Sequence, residues 1–315
     1  MTRRSLRMGG VAREITYETG VQTRAGRLMV RGFETLSGRR RLVDLAAGYE
    51  DEVAAGADFW EVIARRYGIG LNLPGQGLAN IPAQGGALVV ANHPFGILDG
   101  LMLGRILSAA RPDGFRIVAN QVFNKAEEVA RVVLPISFDG DKAARGINVA
   151  TRRAALDHLA AGGIVGIFPG GTVSTARRPF GPALDPPWKT FTARLAAKSG
   201  VPVIPVYFDG ANSRRFQVAS HLHYTLRLAL LIHEFRTRVG REVTAVIGAP
   251  IPPETIAAKA RDGAALMDFL RAQTYALSPR PLKDMGYGFD YDLAGLPARL
   301  TGAHGAGAEA GRRGL

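Results

Sequence analysis

A histidine followed six residues later by an aspartate stands in the segment Asn92-His93-Pro94-Phe95-Gly96-Ile97-Leu98-Asp99-Gly100, directly after the apolar run ALVVA at 87–91. An imidazole is the side chain best suited to take a proton from a hydroxyl near neutral pH. An acid that accepts the Nδ1–H fixes the tautomer, leaves Nε2 as the base and stabilises the imidazolium as it forms. The same acid at the start of a helix can instead cap it. Both arrangements are open for Asp99, and Gly96 and Gly100 supply the backbone freedom a tight turn needs.

Two further segments have chemical potential. Phe168-Pro169-Gly170-Gly171-Thr172-Val173-Ser174 follows the apolar run at 164–168, and its glycines can present backbone N–H groups to an oxyanion or a phosphate. It is neither a P-loop nor a dinucleotide fingerprint. The third, Val201-Pro202-Val203-Ile204-Pro205-Val206, leads into the polar loop Asp209-Gly210-Ala211-Asn212-Ser213-Arg214.

The elements that would position these loops alternate. Short continuous apolar runs predict buried strands at 87–91, 115–119, 132–138, 164–168, 201–208 and 243–247. The prolines of 201–208 favour an edge strand, or a place at the start of a strand. Helical spacing appears at 101–110, 144–161, 188–198, 222–239 and 264–277. The expected class is therefore α/β: a mixed, largely parallel central sheet flanked by helices.

Amphipathic helices precede it, at 25–38 and 42–67. They can dock on a lipid surface, pack on the main domain, or do both. The expected organisation is a basic helical region at 1–75, a catalytic domain at 76–280, and a tail at 281–315 whose Gly/Ala-rich end is disordered.

The 315 residues contain no cysteine, which excludes disulfides, thiolate metal sites and a cysteine nucleophile and suits a reducing cytosol. The formal charge is +13, with arginines crowded at the N-terminus. Such a surplus suits an anionic membrane or an acidic partner protein. No apolar stretch approaches the ~20 residues of a membrane span, and no signal peptide is apparent. His221, His223, His233 and Glu234 make a poor metal set, so no metal is expected.

In order and spacing, the three segments together resemble the lysophospholipid acyltransferase family, which includes the bacterial 1-acylglycerol-3-phosphate acyltransferases. The phrases NHPFGILDG, DPPWK, FDGANSRRFQ and VIGAPIPP are similar to the branch linked to hemolysin names and ornithine-lipid synthesis. The resemblance implies O-acyl transfer from acyl-carrier protein or coenzyme A thioester to a lysolipid hydroxyl, with His93 as base, Asp99 as its orienter and no cofactor beyond the acyl donor. It places Asn92, Phe95, Gly96, Gly170, Gly171, Thr172 and Ser174 at the substrate.

Two departures matter. Five residues separate His93 from Asp99 where the family has four. The glutamate and arginine of the second block are replaced by Gly170 and Val173, so Arg177, Arg178 or Arg214 must supply any anion partner. Loss of that arginine shifts the expected acceptor from lysophosphatidate toward a lyso-amino-acid lipid. The expected location is peripheral, on the inner face of the cytoplasmic membrane, with no nucleic acid as partner. The rival readings are a basic lipid- or nucleic-acid-binding protein that has lost activity and, more distantly, a hydrolase using Ser174.

Overall fold

The computed structural model describes residues 39–120, 127–137, 142–222, 224–283 and 285–290. The expectations for 1–38 and for the end of the tail lie outside the described residues.

The described residues open with α1 (Arg39–Ala46), α2 (Tyr49–Ala54) and α3 (Phe59–Arg66), where the periodicity suggested one helical span. Gly48 at φ 82° separates the first two, and Asp58 caps the third by accepting from Glu61 N–H at 2.8 Å. Then come β1 (Gly70–Asn72), β2 (Ala87–Ala91), α4 (Ile97–Ala110), β3 (Phe115–Asn120), α5 (Glu127–Ala130), β4 (Val133–Ile136), α6 (Lys142–Ala160) and β5 (Ile164–Ile167). A small hairpin of β6 (Thr175–Ala176) and β7 (Ala183–Leu184) precedes α7 (Thr190–Ser199) and β8 (Val203–Phe208). The chain continues through α8 (Arg214–Leu222), α9 (Tyr224–Arg238), β9 (Glu242–Ile247), α10 (Pro253–Lys259) and α11 (Gly263–Tyr275).

Seven strands form one sheet in the order β1-β9-β8-β2-β5-β3-β4, parallel throughout except at β8–β9. Alternate residues of a strand face opposite sides of its sheet. Accordingly Val89 joins Trp60, Leu103 and Phe208 in one core, while Leu88 and Val90 join Leu195, Val203 and Leu270 in the other. With both faces covered, β2 reads as an unbroken apolar run.

The prolines of β8 do not place it at an edge: it lies between β2 and β9. Val203 exchanges both backbone bonds with Ile251, and Gly248 N–H donates to Pro205 O at 2.9 Å. Pro205, with no N–H of its own, therefore sits opposite residues 248–250, where the neighbouring strand β9 has ended and no ladder donor is needed.

Leu42, Ala46, Tyr49, Phe59, Trp60 and Ile63 are buried in the same core as the sheet, and β1 extends the sheet itself. The apolar face of 39–66 is thus used internally rather than offered to lipid. Contact between α3 and α4 is close enough that a Cβ at Gly104 would fall 2.1 Å from Trp60 Cε3. The indole is itself held edge-on by Phe59 and Phe115, so it cannot step aside. Gly104→Ala is expected to destabilise the fold by about 1–3 kcal/mol, read as a lowered urea midpoint at unchanged slope. No helix among the described residues is long and apolar enough to cross a membrane.

Candidate active site

Strands β5, β2 and β8 are adjacent and parallel, so the three chemically suggestive segments leave the same edge of the sheet side by side. The chain leaves β2 toward β3 on one side but leaves β5 toward β8 on the other. A crevice at such a divergence is where open α/β sheets bind their ligands.

His93 is the second residue beyond β2. Asn92 before it is buried and behaves as an extra rung of the sheet: its Nδ2 donates to Phe208 O at 3.0 Å, and its Oδ1 accepts from Phe208 N–H at 2.7 Å. The His93 imidazole stacks on Phe168, with centroids 4.3 Å apart and planes at 26°, and its side chain keeps 18% of its surface exposed. Nδ1 lies 2.9 Å from Asp99 Oδ2. Where Nδ1 carries the proton it faces this carboxylate oxygen, which can only accept, and Nε2 is then the nitrogen free to take a proton.

The extra residue between His93 and Asp99 is absorbed at Gly96, whose φ of 86° and ψ of −120° suit glycine. Helix α4 therefore starts at Ile97, earlier than its apolar period suggests, and Asp99 falls in its first turn. Asp99 Oδ2 accepts from Phe95 N–H at 2.7 Å and Gly96 N–H at 2.9 Å. A single oxygen thus caps the helix and stands at ion-pair distance from the imidazole. Burial pushes the Asp99 carboxyl above the ordinary carboxylate range, while His93 and the two N–H groups pull it back. Phe95 is buried beneath the Arg238 guanidinium, 4.3 Å from the ring centroid.

Residues 170–174 approach His93 from the neighbouring strand. Ser174 N–H donates to His93 O at 2.8 Å. Gly171 turns the chain at φ 68°. Two buried charges that the local reading missed hold this turn in place. Asp185 accepts at Oδ1 from His93 N–H at 3.2 Å and from the Ser174 hydroxyl, and at Oδ2 from Trp188 Nε1–H at 2.9 Å. Its Cβ and Cγ lie 3.4 Å from where a Cβ of Gly170 would stand.

The second is Arg227 of α9, buried with its guanidinium carbon over the Phe216 ring, 5.0 Å from the centroid. It donates to Val173 O at 2.8 Å, to Thr172 Oγ1 at 3.1 Å and to Thr175 Oγ1. The turn that lacks its own acid and arginine is thus served by Asp185 and Arg227 from elsewhere in the chain. The motif DPPWK was the one sequence signal for the first. Nothing distinguished Arg227 from the other arginines of its helix.

The remaining candidates are placed differently. Ser174 is buried with its hydroxyl given to Asp185, so it is not presented as a nucleophile. Arg177 and Arg178 are exposed on the β6–β7 tip, and Arg214 is exposed at the start of α8. His221 Nε2 lies 2.8 Å from Ala176 O, and Glu234 accepts from Ser213 N–H and Oγ–H. Among the described residues, no three His, Asp or Glu side chains converge as a metal set.

Residues 74–209 match the family model described as Acyltransferase, so the match spans β2, β5, β8 and the loops at 92–96 and 168–174. Lyso-glycine lipid O-acyltransferases of Phocaeicola vulgatus and Bacteroides thetaiotaomicron align at 26% and 25% identity, over 64% and 57% of this chain. Over that region the chain carries an acyltransferase domain and is similar to the lysophospholipid acyltransferases. It is an acyltransferase, and its alignments span 72% and 66% of those two relatives. The crystal structure of the 1-acyl-sn-glycerophosphate acyltransferase of Thermotoga maritima aligns over 87% of this chain and 93% of that one, at 18% identity and a TM-score of 0.46.

Proposed function

We propose that this acyltransferase moves a fatty-acyl group from the thioester of acyl-carrier protein or coenzyme A to the hydroxyl of a lysolipid, as a step of membrane lipid biosynthesis. The observation that carries this reading is the 2.9 Å contact between His93 Nδ1 and Asp99 Oδ2, with the ring partly open to solvent. Nε2 takes the proton of the acceptor hydroxyl as its oxygen attacks the thioester carbonyl. The tetrahedral intermediate expels the thiolate, and the imidazolium returns the proton to sulfur. Asp99 stabilises the imidazolium between these events. No covalent acyl-enzyme is needed, in keeping with a chain that has no cysteine and whose Ser174 is buried.

For the acceptor we favour a lyso-amino-acid lipid over lysophosphatidate. The turn at 170–174 offers no arginine of its own, and Arg227 is spent on holding it. Both aligned relatives are named for a glycine lipid. The net charge of +13 suits an acidic carrier protein and a peripheral place on the inner face of the cytoplasmic membrane.

The test is the full-length protein with acyl-carrier or coenzyme A thioester and a panel of lyso-glycine lipid, lyso-ornithine lipid and lysophosphatidate. Transfer to an amino-acid lipid is expected. Transfer to lysophosphatidate alone would refute the headgroup, and transfer to none would refute the reaction.

A further inference from the structure

The β6–β7 hairpin grows directly out of the catalytic turn, since Ser174, bonded to the His93 carbonyl, is followed at once by Thr175 of β6. Its tip reads Arg177-Arg178-Pro179-Phe180-Gly181-Pro182. Gly181 N–H donates to Arg178 O at 2.9 Å, closing a four-residue turn with Pro179 and Phe180 at its corners. Proline arrives at the first corner with its φ already set, which stiffens the apex. Phe180 is left 78% exposed, and Arg177 and Arg178 beside it are exposed as well.

The end of α8 lies against the same hairpin. His221 Nε2 meets Ala176 O at 2.8 Å, and the next residue, Leu222, is 72% exposed. A single apolar side chain on a surface needs no explanation. Here one of them stands next to an arginine pair on a stiffened turn that grows from the candidate site, and the other follows directly on the histidine that meets the base of the same hairpin. Phe180 is six residues from Ser174, so even a fully extended chain would hold it within roughly 20 Å of that residue.

We propose that this tip, with Leu222, docks the enzyme on an anionic lipid bilayer. Phe180 and Leu222 enter the interfacial layer, Arg177 and Arg178 meet headgroup phosphates, and the acceptor passes from the bilayer to His93 over the adjoining turn. An acidic carrier protein would also be met by the arginines, but it gives no reason for a phenyl ring held out on a rigid turn. The inference rests on the lysolipid reading above. It also moves Arg177 and Arg178 from the acceptor's own headgroup to the membrane around it.

The experiment uses the full-length protein and its Phe180→Ser/Leu222→Ser variant, with vesicles of phosphatidylglycerol and phosphatidylcholine in equal parts and of phosphatidylcholine alone. Sedimentation reads partitioning, and acyl transfer is measured on an acceptor in the vesicles and on a short-chain acceptor below its micelle concentration. The parent protein should prefer the anionic vesicles and lose that preference as salt rises. The variant should partition at least roughly tenfold less, lose transfer to the vesicle acceptor and keep transfer to the soluble one.

Unchanged partitioning of the variant overturns the proposal. So does a loss of transfer to the soluble acceptor, which would place these side chains in the reaction site. Unchanged partitioning with a raised KM for the carrier-protein donor would assign the tip to that donor. If the parent transfers to no acceptor, the lysolipid reading fails, while partitioning still reports on docking.

Discussion

His93→Ala is expected to lower kcat by roughly 10²- to 10⁴-fold, the usual worth of a positioned general base, with the fold intact. The side chain lies at the open end of the sheet, stacked on Phe168 with its ring partly exposed, so its removal leaves no deep cavity. Asp99→Asn is expected to cost nearly as much, for a different reason. An amide, its oxygen held by the Phe95 and Gly96 N–H groups, still faces Nδ1 with an acceptor but carries no charge to stabilise the imidazolium as the proton arrives. KM for the lysolipid should change little in either variant, because neither side chain has to hold the substrate before the proton moves. Burial raises the Asp99 carboxyl, so acidification neutralises it before an ordinary aspartate would lose its charge. Transfer should therefore fall with decreasing pH while the medium is still above the usual aspartate range. Full kcat in His93→Ala would remove His93 from the chemistry.

What could be read from the chain alone follows from how locally each feature is determined. The strand at 87–91 is buried on both faces, which leaves a mark in consecutive residues, and the same holds at 164–167 and 203–208. The three residues of β1 carry no such mark, because they form a strand only by pairing with Thr244 and its neighbours some 170 positions on. The span at 42–67 keeps a helical period through the breaks, so period alone could not show where Gly48 and Asp58 divide it. The helix expected at 222–239 is α9, whereas α8 before it lies in a stretch read only as a polar loop and its continuation.

At the site, His93 and Asp99 were legible because seven consecutive residues contain both. Whether they meet was not, since the answer depends on Gly96 taking a positive φ. Asp185 touches His93 across 92 positions and Arg227 touches Thr172 across 55, and no local pattern reports such contacts.

Asp185→Asn is expected to disturb both the fold and the reaction. The carboxylate is fully buried and receives the His93 N–H, the Ser174 hydroxyl and the Trp188 indole, while its own backbone carbonyl accepts from Gly288 N–H at 2.9 Å and from Arg271. An amide offers one accepting oxygen and turns two N–H bonds on the donors that remain, so at least one of the three is left unmet. A stranded buried donor costs about 1–3 kcal/mol, and a total loss of roughly 2–5 kcal/mol should appear as a lowered urea midpoint.

The functional consequence runs through geometry. Asp185 holds the backbone of His93 and, through Ser174, the turn that faces it, so its loss should let the imidazole drift from Asp99 and reduce kcat by about 10²-fold, the penalty for a misplacement near 1 Å. Trp188→Phe supplies the contrast, since it removes one donor and leaves the Oδ1 contacts to His93 and Ser174 in place; its stability loss should not be matched in kcat. If Asp185→Asn folded and turned over at the parent rate, the contacts to His93 and Ser174 would be structural alone. A fall in kcat at temperatures well below the variant's unfolding, with KM for the acceptor held constant, is the result that separates positioning from mere packing.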